Sequence, residues 1–294
     1  ALDGFFLDCF RHFELDFWHS DGVTMVNNKP AYSNNWALSR IQEEVGRQLQ
    51  AKNKDCFANK PRTVQNMRHV DAVLLEGHGD GAEMKFYFTC IAKPIFFMWT
   101  GLAKPQEEYL KRSVMYGGWP RDPIFEGRTP EEKARSKRFN RDLYARYLPL
   151  YRLFKGRVLC FEPNPLAFSD GVYGQIYTLP DGSYVVGCMS DYISVHDTVR
   201  YDTPREMRFR LKHGARLNEV FVFYPGDPNP HAVRPMDADG GWRVVPLEKY
   251  VSCAAVLIRE GGASADAKRR KLRDTRDHCG DPVSSFELGS GANE

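Results

Sequence analysis

Two short apolar runs in this sequence end on a carboxylate: Gly4 to Asp8 (Gly-Phe-Phe-Leu-Asp) and Ala72 to Glu76 (Ala-Val-Leu-Leu-Glu). A continuous apolar run of this length predicts a strand buried on both faces, as in a parallel sheet covered by helices. In a β/α barrel, the carboxyl ends of such strands form the active-site face. Two carboxyl groups on different strands, one protonated and one ionised, are the groups that cleave a glycosidic bond. Asp8 and Glu76 are therefore candidate catalytic residues.

The neighbours of the two acids would divide the chemistry between them. Asp8 is followed by Arg11 and His12, whose positive charge would hold a nearby carboxylate ionised, as a nucleophile must be. Glu76 leaves an apolar strand for a glycine-flanked loop, where desolvation would raise its pKa and keep it protonated as a general acid. The alternative is structural: each acid would cap the following helix or pair with a basic residue.

From Gly4 to about Trp119, short apolar strands alternate with helical stretches, which predicts a parallel sheet with helical crossovers. The other predicted strands are Asp55 to Asn59, Pro94 to Trp99 and, as a strand or its loop, Tyr116 to Pro120. The predicted helices are Trp36 to Lys52, with an apolar stripe of Ile41, Val45 and Leu49, then Glu83 to Cys90 and Gln106 to Tyr116. A complete (β/α)8 barrel takes about 250 residues. Residues 1–156 therefore predict an α/β fold that is a partial (β/α)8 barrel, about strands 4 to 8, with its first units missing.

Beyond this region the pattern changes. Thr129 and Pro130 predict the start of a long helix that runs to Phe154. Apolar residues then recur with a period of two, and Pro180-Asp181-Gly182 predicts a hairpin turn. Residues 157–260 are therefore predicted to form an antiparallel all-β sandwich. Residues 261–294 are polar and rich in small and charged residues, which predicts a disordered tail.

Composition excludes several classes of protein. The formal net charge is only +3, with 41 basic and 38 acidic residues interspersed, so nucleic acid is not an expected partner. No apolar run is long enough for a membrane span, and the seven scattered cysteines predict free, buried thiols. The chain starts at Ala1 and enters a strand almost directly, from which we expect its natural N-terminus to be missing. The compartment, whether cytoplasmic or periplasmic/extracellular, and the oligomeric state are left open.

The strand endings Gly-Phe-Phe-Leu-Asp and Val-Asp-Ala-Val-Leu-Leu-Glu, with a trailing β-rich region, resemble the second half of a TIM-barrel glycoside hydrolase. The similarity is to the α-galactosidase-like (melibiase) clan and related glycosyl hydrolases, over residues 1 to 260. In those families the nucleophile tends to end barrel strand 4 and the acid/base strand 6. The resemblance implies Asp8 as nucleophile and Glu76 as acid/base of a retaining O-glycosyl hydrolase. The clan usually has Asp as its acid/base, so Asp80 is a rival proton donor.

Polar and aromatic residues near the other strand ends are candidates for binding a carbohydrate substrate. They are Arg11, His12, Asn59, Lys60, His78, Trp99 and Trp119. Gly117 and Gly118 would give Trp119 the clearance to stack on a sugar ring. We expect Trp18 and Trp36 to be packing residues.

Other chemistries lack their motifs. Gly77 to Gly81 has neither the Lys-Ser/Thr of a P-loop nor the spacing of a dinucleotide-binding loop. His12, His19, His78 and Asp80 have no spacing typical of a zinc site, so no metal and no cofactor are expected. The alternative function is a non-catalytic carbohydrate-binding protein on a degenerate glycosidase barrel. A further possibility is that half a barrel, with an exposed sheet edge, does not act alone.

Overall fold

The computed structural model describes residues 4–7, 15–59, 61, 64–76, 93–98, 106–120, 129–190, 205–212, 216–250 and 252–261. The helices in these ranges are α1 (Asn34–Gln50), α2 (Val64–Arg68), α3 (Gln106–Met115) and α4 (Pro130–Arg152), with a 3-10 turn at Asp239–Gly241. The strands of the first half are β1 (Gly4–Leu7), β2 (Leu15–Asp16), β3 (Met25–Val26), β4 (Lys29–Pro30), β5 (Tyr32–Ser33), β6 (Asp55–Asn59), β7 (Ala72–Glu76), β8 (Ile95–Met98) and β9 (Trp119–Pro120). Those of the second half are β10 (Val158–Leu159), β11 (Leu166–Phe168), β12 (Val172–Thr178), β13 (Tyr184–Ser190), β14 (Arg205–Phe209), β15 (Glu219–Phe223), β16 (His231–Val233), β17 (Met236–Ala238), β18 (Trp242–Leu247) and β19 (Cys253–Arg259).

The first half is built on a parallel sheet with the strand order β1-β6-β7-β8-β9. Each strand lies beside the next sheet strand along the chain, and all four pairings are parallel. Helix α1 connects β1 to β6, α2 connects β6 to β7, and α3 connects β8 to β9. The predicted alternation of strands and helices is confirmed. The helix predicted at Glu83 to Cys90 lies outside the described residues.

The two faces of this sheet differ in how well they are covered. Cys56, Ala58 and Val73 point to one face and are fully buried in a cluster that includes residues of all three helices or their ends. By register and alternation, Phe6 and Phe96 point to the opposite face, where they are 47% and 36% exposed. Phe5, on the same face as Cys56, is 55% exposed, so the helices cover that face over β6 and β7 but leave both faces open at β1.

Helix α1 buries a different face from the predicted one. Val45 and Leu49 pack against the sheet cluster as expected, but Ile41 is exposed. Gly46 is buried because the backbone of His69 approaches it so closely that a β-carbon there would overlap the carbonyl oxygen of His69. The close approach to the chain after α2, and not apolar periodicity alone, sets the orientation of α1.

Helix α4 begins where its sequence predicts. The hydroxyl of Thr129 accepts a hydrogen bond from the backbone N–H of Glu132, and the Glu132 carboxylate accepts one from the N–H of Thr129, both at 3.2 Å. This reciprocal pair is a capping box, with Pro130 in the first turn. The helix ends at Arg152, two residues before the predicted end.

The second half contains two antiparallel sheets. Their strand orders are β10-β12-β13-β19-β15-β16 and β11-β14-β18-β17. Val186 and Val256 of the first sheet and Phe209 and Val245 of the second are fully buried in one shared core. The predicted hairpin is confirmed, since β12 and β13 pair antiparallel on either side of Pro180 to Gly182. The described residues thus form a mixed α/β protein with one parallel sheet and several antiparallel sheets.

Candidate active-site edge

The parallel strands end at one edge of their sheet, and the backbone register sets the level at which each ends. Leu7, the last residue of β1, pairs with Ala58, so Asn59 extends one residue further along β6. Asn59 pairs with Leu74, which leaves Glu76 two residues further along β7. Glu76 in turn pairs with Met98, the last residue of β8. The sheet edge therefore rises by one residue from β1 to β6 and by two more from β6 to β7, and β8 ends at the level of β7.

Several predicted site residues follow these strands but lie outside the described residues: Asp8, Arg11, His12, Lys60, His78, Asp80 and Trp99. The backbone of Glu76 is described as the end of β7. The predictions for these residues therefore stay predictions, and the strands that lead to Asp8 and Glu76 are the part that the structure bears out.

Asn59 is the predicted binding residue that lies between the two acid-bearing strands. It ends β6, which separates β1 from β7, and only 5% of its surface is exposed. Buried side-chain amides are normally hydrogen-bonded within the protein. Asn59 therefore lies at this edge with its side chain largely buried, and substrate binding by Asn59 stays a prediction.

Trp119 has a packing contact. Its ring lies 6.3 Å from that of Tyr151 in α4, at an angle of 45°. The neighbouring Gly117 has a φ of +61°, and a β-carbon there would overlap the side chain of Arg157. The Arg157 Nε donates a hydrogen bond of 2.5 Å to the Gly117 carbonyl. Gly117 thus makes room for Arg157, and sugar stacking by Trp119 stays a prediction.

A partly buried polar anchor holds β7 in place at its start. The Asp71 carboxylate accepts a hydrogen bond of 2.8 Å from the backbone N–H of Cys56, which ties the start of β7 to β6. The Lys93 amine donates to the carbonyls of Met67, Arg68 and Val70 at the end of α2. Burial lowers the pKa of Lys93. These contacts fix the two strands that carry Asn59 and Glu76.

The chain between β1 and α1 forms a small excursion, Leu15 to Ser33, made of two short hairpins. Strand β2 pairs with β5, and β3 pairs with β4 across Asn27 and Asn28, which both have positive φ. Two central residues with positive φ are typical of a type I′ hairpin turn. The excursion follows β1 in the chain and leads directly into α1, which returns to β6.

Asp21 ties this excursion together. Its Oδ1 accepts hydrogen bonds from the backbone N–H groups of Val23 (2.9 Å) and Thr24 (2.6 Å). Its Oδ2 accepts from the Thr24 hydroxyl (2.6 Å) and from the backbone N–H of Ser33 (2.9 Å), twelve residues away. These hydrogen bonds, led by that of the Thr24 hydroxyl, hold the pKa of Asp21 far below its ordinary value. The ionised carboxylate therefore joins the two ends of the excursion.

Trp18 is exposed, so the prediction that it packs is wrong. Trp18 is 94% exposed, and Trp36 is 48% exposed. The backbone N–H of Trp18 donates 2.7 Å to Asp16 Oδ1, and His19 Nδ1 lies 2.5 Å from Asp16 Oδ2. Asp16 thus holds a tight turn with Trp18 at its outside. The sequence signal for this turn was the set of polar residues that flank Trp18 in the sequence: Asp16, His19, Ser20 and Asp21.

The described residues lack two other kinds of site. Among them, no group of three or more His, Cys, Asp or Glu side chains lies close enough to hold a metal ion. Within the same ranges, no helix has the length and apolar character of a membrane span.

No protein-family model matches this chain, and no curated protein matches it. Among solved structures, a glycoside hydrolase family 30 subfamily 8 xylanase from Clostridium acetobutylicum is similar with a TM-score of 0.40 and 12% identity, over 79% of this chain and 63% of that one. A cycloisomaltooligosaccharide glucanotransferase from Paenibacillus sp., complexed with cycloisomaltoheptaose, has a TM-score of 0.37 and 10% identity, over 52% of this chain and 27% of that one. An endo-β-1,6-glucanase has a TM-score of 0.32 and 10% identity, over 81% and 57%. The chain thus spans less than two thirds of each of these structures, and TM-scores below 0.5 do not establish a shared fold.

Proposed function

We propose that this chain is part of a retaining glycoside hydrolase, with Asp8 as the nucleophile and Glu76 as the acid/base. The observation that carries the proposal is the parallel sheet itself, in which β1 leads to Asp8 and β7 ends at Glu76, with β6 alone between them. Neighbouring strands are about 4.8 Å apart, so β1 and β7 are about 10 Å apart. Glu76 lies two residues beyond the level of Asn59, so the carboxyl groups of Asp8 and Glu76 must lean towards each other over the end of β6 to reach the separation of about 5 to 5.5 Å typical of a retaining enzyme.

The reaction would be a double displacement. The Asp8 carboxylate attacks the anomeric carbon, the bond to the leaving oxygen breaks, and Glu76 gives its proton to that oxygen. Glu76, now ionised, takes a proton from water, and the resulting hydroxide displaces Asp8 from the anomeric carbon. Asn59, on the strand between, would hydrogen-bond a substrate hydroxyl. Arg11, His12, Lys60, His78 and Trp99 remain proposed binding residues, and Asp80 remains the rival proton donor.

The fold we propose is a partial (β/α)8 barrel, about strands 4 to 8, over residues 1–156, followed by an antiparallel β-sandwich over residues 157–260. Support for the barrel comes from the sequential parallel order and from the partly open face that carries Phe6 and Phe96, which would be the inner face. Support for the sandwich comes from the core that the two antiparallel sheets share.

The proposal is tested with the full chain and a panel of aryl glycosides. We expect hydrolysis of at least one substrate with retention of the anomeric configuration. NMR of the first product formed measures that configuration. Asp8→Asn should abolish turnover and leave ligand binding intact, because the amide cannot attack the anomeric carbon. Leu7→Val is a matched control, since it changes the preceding strand residue and no chemistry. Binding without hydrolysis by the unaltered chain would favour the carbohydrate-binding alternative, and an active Asp8→Asn variant would refute the assignment.

A further inference from the structure

The excursion Leu15 to Ser33 carries the largest exposure of a large apolar side chain in the described part of the protein. Trp18 is 94% exposed, and Phe17, Val23 and Met25 are 56%, 77% and 60% exposed. Isolated exposed apolar residues are common, but four within nine residues of the chain concentrate apolar surface on this excursion, and an apolar patch of this kind marks a binding surface. The patch follows the strand that leads to the proposed nucleophile.

The ring of Trp18 is presented by a turn that is already ordered. Asp16 accepts hydrogen bonds from the backbone of Trp18 and lies against the His19 ring, and Asp21 closes the excursion on Ser33. A backbone turn that is ordered before binding loses little conformational freedom when a ligand arrives. The turn therefore favours a binding role for Trp18 over an accidental exposure.

Polar groups interrupt the apolar patch. The His19 side chain is 75% exposed and lies next to Trp18 in sequence, and Asp16, Ser20 and Asp21 are close by in the same turn. A protein partner would favour a continuous apolar surface, whereas a sugar ring offers an apolar C–H face bordered by hydroxyl groups. An exposed indole bordered by hydrogen-bonding groups matches the second chemistry.

We propose that Trp18 is the stacking platform of a carbohydrate-binding subsite that lies outside the cleavage site and takes a sugar ring of a polysaccharide. This inference rests on the proposed function, because that function supplies the carbohydrate. The excursion follows β1 in the chain and leads into α1. A ligand that occupies both the cleavage site and Trp18 must be a chain of sugars, so the subsite would favour polymers over short glycosides.

The test is native gel electrophoresis of the full chain in gels that contain xylan, laminarin, galactomannan or dextran. We expect at least one polysaccharide to retard the unaltered protein. Trp18→Ala should raise the dissociation constant about tenfold or more, since a central aromatic anchor supplies a large share of binding energy. The matched control is Phe161→Ala, which removes a ring that is 83% exposed in the second half of the chain. It should be retarded like the unaltered protein.

The outcomes separate this inference from the proposed function. Retardation by no polysaccharide, or equal retardation of Trp18→Ala and the unaltered protein, would overturn the subsite. Loss of binding in Phe161→Ala as well as in Trp18→Ala would overturn it too, because binding would then follow exposed rings in general. Trp18-dependent binding in a protein that hydrolyses nothing would keep the subsite and refute the catalytic proposal. Hydrolysis that depends on Asp8, without binding that depends on Trp18, would keep the catalytic proposal and refute the subsite.

Discussion

A β-carbon added to Gly187 of β13 would overlap the backbone carbonyl oxygen of Val114 in α3. The backbone of α3 therefore rests directly on the six-stranded antiparallel sheet, with no side chain between them. The Tyr177 hydroxyl, on the neighbouring strand β12, donates a hydrogen bond of 3.3 Å to the carbonyl of Met115. Because α3 also connects β8 to β9, this contact joins the antiparallel half of the protein to the sheet that leads to the proposed catalytic acids.

The first prediction concerns this contact. Alanine in a strand is ordinarily favoured over glycine by about 0.5–1 kcal/mol. At Gly187 the added methyl group would push against backbone, which cannot give way, so we expect Gly187→Ala to lower the free energy of unfolding by about 2–3 kcal/mol. Urea denaturation followed by circular dichroism measures this change.

Gly171→Ala provides the comparison for Gly187→Ala. Gly171 has open space around it and a φ of +75°, so its substitution costs only backbone strain, about 1 kcal/mol. A loss at Gly187 no larger than that at Gly171 would show that α3 and β13 are not in tight contact.

The second prediction concerns pH and the loop around Asp227. Its carboxylate accepts a hydrogen bond from the backbone N–H of Asn229 (3.0 Å), contacts His231 Nε2 (2.7 Å) and accepts one from Lys249 Nζ (3.2 Å). These interactions, the Asn229 hydrogen bond first, lower the pKa of Asp227 from 3.8 to about 2. A carboxyl group with a lowered pKa stabilises the fold above its unfolded pKa, and this contribution is lost as the pH falls through the folded value.

We therefore expect Asp227→Asn to be less stable than the unaltered protein at pH 7. The difference in urea midpoint should shrink as the pH falls from 3.8 to about 2, where the natural carboxyl group is also protonated. Urea titrations at pH 7, 4 and 2.5 measure this difference. A difference that is constant across the series would contradict the assignment.

The elements that the sequence predicts best are those with local signals. Strand β6 ends where Pro61 follows, and β7 starts after the polar Asp71, so both strands have the predicted bounds. Three neighbouring residues determine the start of α4. Thr129 and Glu132 form the capping box and Pro130 stands in the first turn, so no contact with a distant residue is needed. The strands that lead to Asp8 and Glu76 could be predicted for the same reason.

Features that depend on contacts between distant residues could not be predicted. The buried face of α1 depends on the approach of the His69 backbone to Gly46. The spacing of apolar residues in the sequence does not predict that approach. Trp18 was expected to be a packing residue, and it is exposed. Its exposure depends on turns closed by Asp16 and by the Asp21–Ser33 hydrogen bond, which spans twelve residues.

The third prediction is that Asp21 orders the proposed Trp18 subsite. In Asp21→Asn, the amide nitrogen that replaces one carboxylate oxygen is a donor and cannot accept the hydrogen bonds of the Thr24 hydroxyl and the Ser33 N–H. We expect proteases to cut between residues 15 and 33 more readily, and polysaccharide retardation to weaken. Ser20→Ala, which removes a single local hydrogen bond to the Gly22 N–H, is the milder control. Equal protease resistance of Asp21→Asn and the unaltered protein would show that the excursion is held in another way.

The fourth prediction decides between Glu76 and Asp80 as the proton donor. Removal of a general acid lowers the rate about 10²- to 10⁴-fold for a leaving group that needs a proton. A dinitrophenolate leaving group departs without one, so its glycoside should be cleaved in the first step with a much smaller loss. We expect this contrast between substrates in Glu76→Gln and its absence in Asp80→Asn.

Because a general acid must be protonated, activity of the unaltered enzyme falls at pH above the pKa of the donor, and Glu76→Gln should lose that alkaline decline. The reverse pattern, with the contrast and the lost decline in Asp80→Asn, would assign the proton to Asp80.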